Sequence, residues 1–175
     1  MRYVALLRGI NVGGHNKIKM DELRPMFESL GFENVKSYIA SGNVAFDSRK
    51  TKDETIVNKL AKAIKEKFSL EIDVMIRTIE EVREAIKKNP FEKDHTDDTK
   101  LFLVFLKEPL PEEKAEMLLS HNNENERFFV NGRDIYALSK KGFMQSILAK
   151  KYIDNKLKTP ATGRNWRTVN KIAEL

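Results

Sequence analysis

The stretch Arg8-Gly-Ile-Asn-Val-Gly-Gly-His-Asn-Lys17 puts three glycines between an apolar run and a helical pattern. Backbone amides hold phosphates in such places. Gly9 and Gly14 have the separation of a phosphate loop, but His15 and Asn16 stand where that loop needs Lys and then Ser or Thr. The lysine reaches the terminal phosphates and the hydroxyl holds magnesium, so that chemistry is excluded while the shape remains. Asn11 likewise occupies the second glycine position of the dinucleotide fingerprint. The stretch keeps the capacity of Gly13 and Gly14 to turn successive amides toward one point, an anion nest, with Arg8, Asn11, His15, Asn16 and Lys17 as donors around it. The competing reading is a connection that needs glycine only to turn.

A second candidate is Thr162-Gly-Arg-Asn-Trp166. With Thr162 as N-cap of a final helix, Arg164 and Asn165 fall in its first turn, where positive charge opposes the dipole unless an anion or carboxylate lies near. Trp166 shares an apolar stripe with Val169 and Ile172, which suits a core residue better than a stacking one. Ser41 lacks the Gly-x-Ser-x-Gly surroundings of a nucleophile elbow and reads as a turn serine beside Gly42 and Asn43. His15, His95 and His121 show no common spacing. The pairs Glu80-Glu81 and Glu112-Glu113 sit in helical first turns and complement the dipole. Asp94, His95, Asp97 and Asp98 match neither a calcium loop nor a helical His pair, so a solvated linker is expected rather than a metal site. With no cysteine, disulfides, thiolate chemistry and Cys-based zinc sites are excluded. No metal or cofactor is called for, and whether the protein is an enzyme stays open.

Charge is distributed unevenly. From Ser139 to Leu175 there are nine Lys or Arg against two acidic residues, whereas residues 1–138 carry 23 basic and 24 acidic. The whole excess of the chain, +6, lies in its last fifth. Such asymmetry points to an anionic partner, with Lys140, Lys141, Lys150 and Lys151 as phosphate contacts, or else to a solvated basic tail. No apolar run approaches the length of a membrane span or secretory core, so a cytoplasmic protein without a membrane partner is expected.

The elements that must position these residues follow from periodicity. YVALL (3–7) reads as a buried strand, and Met20, Leu23, Phe27 and Leu30 as a helix ended by Gly31, with Pro25 near its start. A hairpin surrounds Ser41-Gly42-Asn43. Capping-box spacings at Thr51–Glu54 and Thr78–Glu81 open two helices around a strand over 72–76. After residues 91–99 the order restarts: strand, helix, a hairpin at Asn131-Gly132, a helix marked by Phe143, Ile147, Leu148 and Tyr152, and the final helix. The class is α+β. A tandem duplication of two ferredoxin-like, split βαβ halves with an extra C-terminal helix is expected: 1–90 the first half, 91–99 a linker, and 100–175 the second half with the basic helices.

LLRGINVGGHNKIKM, YIASGNVAF and TGRNWRTVNKI, in that order, resemble the bacterial family called domain of unknown function 1697. The resemblance spans essentially the whole chain and implies the same tandem of ferredoxin-like halves, but no activity, substrate or cofactor. It places emphasis on Arg8, Gly9, Asn11, Gly13, Gly14, Lys17, Ser41, Gly42, Asn43, Thr162, Arg164, Asn165 and Trp166. We expect the last helix to pack near the first loop and the Ser41 turn, gathering these residues into one polar cleft. Two readings stay open. One is a binding module for an anionic partner, nucleic acid foremost, using the glycine loop and the basic C-terminal region. The other is an enzyme or binder of a phosphorylated or carboxylated metabolite. The sequence leaves the oligomeric state open.

Overall fold

The structure, a computed structural model, describes residues 1–94, 96–150 and 152–175, with the side chain of Lys150 left aside. His95 and Lys151 therefore lie outside the described residues. The chain divides into two compact units, Met1–Arg83 with Lys171–Leu175, and Glu84–Asn170.

Unit 1 contains β1 (Arg2–Leu7), α1 (Met20–Ser29), β2 (Glu33–Tyr38), β3 (Asn43–Asp47), α2 (Asp53–Phe68), β4 (Val74–Thr78) and the start of α3 (Ile79–Lys87). Its antiparallel sheet has the order β2-β3-β1-β4. Tyr3, Ala5 and Leu7 of β1 face a core built with Leu23, Met26 and Phe27 of α1 and Ile56, Leu60 and Ile64 of α2. The intervening Val4 and Leu6 are also buried, which is why β1 reads as a continuous apolar run rather than an alternating one. Pro25 falls inside α1 rather than in its first turn. There it removes one helical donor, a cost offset by the buried Leu23–Met26–Phe27 stripe.

Of the two expected capping boxes, one forms. Thr78 Oγ1 accepts the Glu81 amide at 3.1 Å, and Glu81 Oε2 accepts the Thr78 amide at 2.7 Å. Thr51 makes no such box: α2 starts one residue later, with Lys52 at its N-cap, and the Thr51 amide donates to the Tyr3 hydroxyl at 3.3 Å. The strand expected over 72–76 runs Val74–Thr78 instead, its register set by Tyr3↔Thr78 and Leu7↔Val74.

Unit 2 contains β5 (Leu101–Leu106), α4 (Glu112–Leu119), β6 (Glu126–Asn131), β7 (Asp134–Ser139), β8 (Ala161–Asn165) and most of α5 (Trp166–Ala173). The sheet order is β6-β7-β5-β8, antiparallel throughout. This is the unit 1 order with each strand replaced by its counterpart. Gly132, at φ +58°, and Arg133 make the two-residue turn between β6 and β7. Residues 91–94 are not a free linker: Phe91 is buried beneath the Arg127 guanidinium, and Arg127 also pairs with Asp94 at 2.6 Å.

Two helical expectations fail here. The stripe Phe143, Ile147, Leu148 and Tyr152 does not form one α-helix but short 3-10 turns at Phe143–Gln145 and Ile147–Lys150 and a π turn at Ile153–Leu157. The amides that would propagate a helix are diverted: Ile147 N–H goes to Glu126 Oε2 at 3.3 Å and Leu148 N–H to Ser146 Oγ at 3.1 Å. The final helix does not start at Thr162, because Ala161–Asn165 pairs with β5 as a strand.

Candidate functional site

The glycine stretch folds as a miniature hairpin. Gly13 and Gly14 have φ of +57° and +80°, His15 N–H donates to Val12 C=O at 3.0 Å, and Val12 bridges His15 antiparallel. Positive φ at both central positions is the two-residue type I′ arrangement, for which glycine is the natural choice. The expected anion nest is thus a tight turn at this level. Among the described residues the amides of Gly13 and Gly14 donate to no acceptor.

The polar residues expected to line the nest mostly brace the loop. Asn11, itself at φ +55°, accepts from Ile18 N–H at 2.9 Å through Oδ1. Its Nδ2 donates to Ile18 C=O at 2.9 Å and to Ala40 C=O at 2.7 Å. One side chain therefore closes the loop and laces it to the β2–β3 turn. Asn16 Nδ2 donates to Gly9 C=O at 3.1 Å. Arg8 pairs with Asp73 at 3.3 Å. Lys17 is exposed.

Asn43, fully buried, closes the β2–β3 turn with Nδ2 bonds of 3.0 Å to Tyr38 C=O and 3.0 Å to Ser41 Oγ. Gly42 has φ +80°, and a Cβ there would lie 2.7 Å from Leu7 Cβ and 2.9 Å from Ile10 Cδ1. Leu7 N–H donates to Gly42 C=O at 2.8 Å. The glycine loop and the Ser41 turn do come together, as one interlocked corner of unit 1. Within it Ile39 holds φ +50° and is 52% exposed, and Val12 is 63% exposed. Nothing in the sequence reading singled out Ile39; a β-branched residue in the left-handed region costs about 1–3 kcal/mol.

Arg164, Asn165 and Trp166 belong to unit 2, where Trp166 is a core residue as its apolar stripe suggests and the other two are placed differently from the expectation. Asn165, not Thr162, caps α5: its Oδ1 accepts Thr168 N–H at 2.9 Å. Arg164 sits in β8, buried, with Nη1 donating to Thr162 Oγ1 at 2.6 Å and Gly163 C=O at 2.9 Å. Burial pulls its guanidinium down to about 10, still charged at neutral pH. Trp166 is buried, with its ring 6.5 Å from that of Tyr136. Unit 1 holds a counterpart: buried Arg77, fourth in β4 as Arg164 is fourth in β8, donates from Nη1 to the preceding carbonyl, Ile76, at 3.0 Å.

The family model for a protein of unknown function, DUF1697, matches residues 1–136. The chain belongs to that family. The match takes in the glycine loop and the Ser41 turn and stops before Thr162–Trp166. A solved structure, that of the conserved bacterial protein SP0830 from Streptococcus pneumoniae, is similar over 99% of this chain and 97% of its own, at 28% identity and a TM-score of 0.78. No curated protein matches.

In this DUF1697 protein Lys140, Lys141 and Lys158 lie outside regular elements, Lys156 lies in the π turn, and Arg164, Arg167 and Lys171 lie in β8 and α5. Lys140, Lys141, Lys156 and Lys158 are exposed, and among the described residues none of them makes an ion pair. Lys65, Lys87 and Lys171, by contrast, pair with Glu71, Glu84 and Glu174. Met144, 81% exposed, stands a few residues after Lys140 and Lys141. Of the other expected contacts, Lys151 and the Lys150 side chain fall outside the described residues. Among the described residues no cluster of acidic or histidine side chains is disposed to hold a metal, and no helix is long and apolar enough to cross a membrane.

Proposed function

We propose that this protein is a cytoplasmic binding module for an anionic partner, nucleic acid foremost, built from two ferredoxin-like halves in tandem. The duplication is supported by the matched strand orders and by the matched Arg77-Thr78-Ile79 and Arg164-Asn165-Trp166 junctions. The observation that carries the binding reading is the set of exposed lysines at 140, 141, 156 and 158, which make no ion pair among the described residues. Charges without ion-pair partners leave a field that attracts anions.

Binding by base stacking on an open sheet is disfavoured, because β5, a central strand of unit 2, is buried on both faces. Phosphate contacts from the 140–158 segment and from loops fit better. The metabolite reading is less well served, since the Asn11 amide is engaged by Ile18 and Ala40.

Fluorescence anisotropy of a labelled oligonucleotide of about 20 nucleotides, at about 50 and 200 mM salt, tests the proposal. Affinity should fall steeply with salt, and Lys140→Glu with Lys141→Glu should weaken binding about tenfold or more. Binding that ignores both salt and these lysines would overturn it.

A further inference from the structure

We propose that the interlocked corner formed by residues 8–19 and 34–43 is a second contact surface for the same partner, and that it favours single-stranded over double-stranded nucleic acid. The inference rests on the anionic-partner reading above but starts from a different part of the molecule.

Ile39 breaks a local rule without a structural return. Glycine or asparagine would adopt its φ of +50° at less cost, and the residue is half exposed rather than part of the core. Such a residue is retained for what it touches outside the chain. Val12, on the neighbouring loop, is more exposed still. The two loops are held together by the Asn11 Nδ2 bond to Ala40 C=O, so both aliphatic side chains are presented by one braced element.

The two segments themselves carry charge of one sign. Residues 8–19 and 34–43 include His15, Lys17, Lys19 and Lys36, together with Arg8, which Asp73 pairs, and not one Asp or Glu. The amides of Gly13 and Gly14 donate to nothing among the described residues. Gly13, Gly14 and Ala40 are exposed and present little or no side chain. The surface thus offers donors and positive charge for anionic oxygens, two short aliphatic side chains, and low-relief backbone that a planar group can approach closely. A single strand supplies both halves of that match, phosphate oxygens and uncovered base faces. A duplex covers its base faces, leaving only the phosphates. An anionic bilayer would also meet the charge, but elements that lie in its interface bury a broad apolar face carrying Trp, Phe and Leu, and this corner offers two aliphatic side chains.

The test uses the full chain, a labelled oligothymidine and a labelled duplex of matching length, with Ile39→Asn, which keeps the turn and deletes the aliphatic group. We expect Ile39→Asn to melt no lower than the wild type, to bind the single strand about fivefold more weakly, and to leave duplex affinity and the salt slope unchanged. Lys17→Ala should lower the salt slope by about one. If the wild type binds neither oligonucleotide, the anionic-partner reading falls and this inference with it. Salt-dependent binding that Ile39→Asn leaves intact for both probes overturns this inference alone. So does co-sedimentation with phosphatidylserine–phosphatidylcholine vesicles that Ile39→Asn abolishes while oligothymidine binding persists.

Discussion

The β4–α3 and β8–α5 junctions are built alike from different residues. In each, the strand's fourth residue is a buried arginine that turns its guanidinium back onto the preceding carbonyl, Ile76 or Gly163. In each, the strand's fifth residue caps the following helix through the amide three positions on. Unit 1 uses Thr78, reinforced by the Glu81 carboxylate; unit 2 uses Asn165 with Thr168 in the place of that glutamate. The buried arginine recurs and the cap varies. What is common to both is a backbone geometry, and either oxygen-bearing side chain can satisfy it.

That comparison can be broken most forcefully at the arginines. Arg164→Ala should cost about 2–3 kcal/mol in guanidinium denaturation, because it strips a buried hydrogen-bond donor from Thr162 and Gly163. Arg77→Ala should fall in the same range, and a loss confined to one arginine would show that the junctions are alike only in outline. Next comes the aromatic that Trp166 packs near. Tyr136→Phe should remove about 1 kcal/mol at neutral pH with the hydroxyl's 2.7 Å bond to Ala85 C=O. Burial first, and then Asp134, raise the Tyr136 phenol above its ordinary 10.0. The folded state therefore holds this proton more tightly than the unfolded chain. The resulting stabilisation is complete below pH 10.0 and is lost as pH rises from there toward the raised value. An alkaline melting series should show that decline in the wild type and a flatter one in Tyr136→Phe.

The caps should matter less. Asn165→Ala is expected to lower stability by about 1 kcal/mol, and Thr78→Ala by somewhat less, since Glu81 still serves the Thr78 amide. Smallest of all should be the exchange of caps, Thr78→Asn and Asn165→Thr, each within about 0.5 kcal/mol of the wild type. A large loss from either exchange would mean that the caps are not interchangeable.

The same junctions show what was legible in the sequence. Thr78–Glu81 announces itself because the carboxylate three residues on is part of a local signal. Asn165 was passed over for Thr162 because Ala161–Asn165 is a strand only by virtue of its pairing with β5, a partner some 60 residues away in the chain. The α+β class and the order of elements from β1 to β7 followed from periodicity, which samples the buried faces directly. The helix expected over 143–152 failed because Glu126 and Ser146 took its amides, contacts that no spacing rule encodes. At the candidate site the residue types were legible and their direction was not. Asn11 and Asn43 look in sequence like ligand donors, and in the fold their amides close turns. Ile39 was invisible because only its φ marks it.

Unit 1 is assembled from two stretches of chain with the whole of unit 2 between them, residues 1–83 and 171–175. Arg2 holds the Leu175 carbonyl oxygen at 2.9 and 3.2 Å, and Arg83 holds that of Ala173 at 3.2 Å. On the ribosome, therefore, the unit begun first is the one finished last. Its sheet can form early, but Arg2 and Arg83 wait for acceptors that are translated only after unit 2 has been made. No single cut in the chain yields both units whole, and a fragment ending at Arg83 would lose the Leu175 and Ala173 acceptors, leaving Arg2 with Asn34 and Asp47 and Arg83 with Glu80.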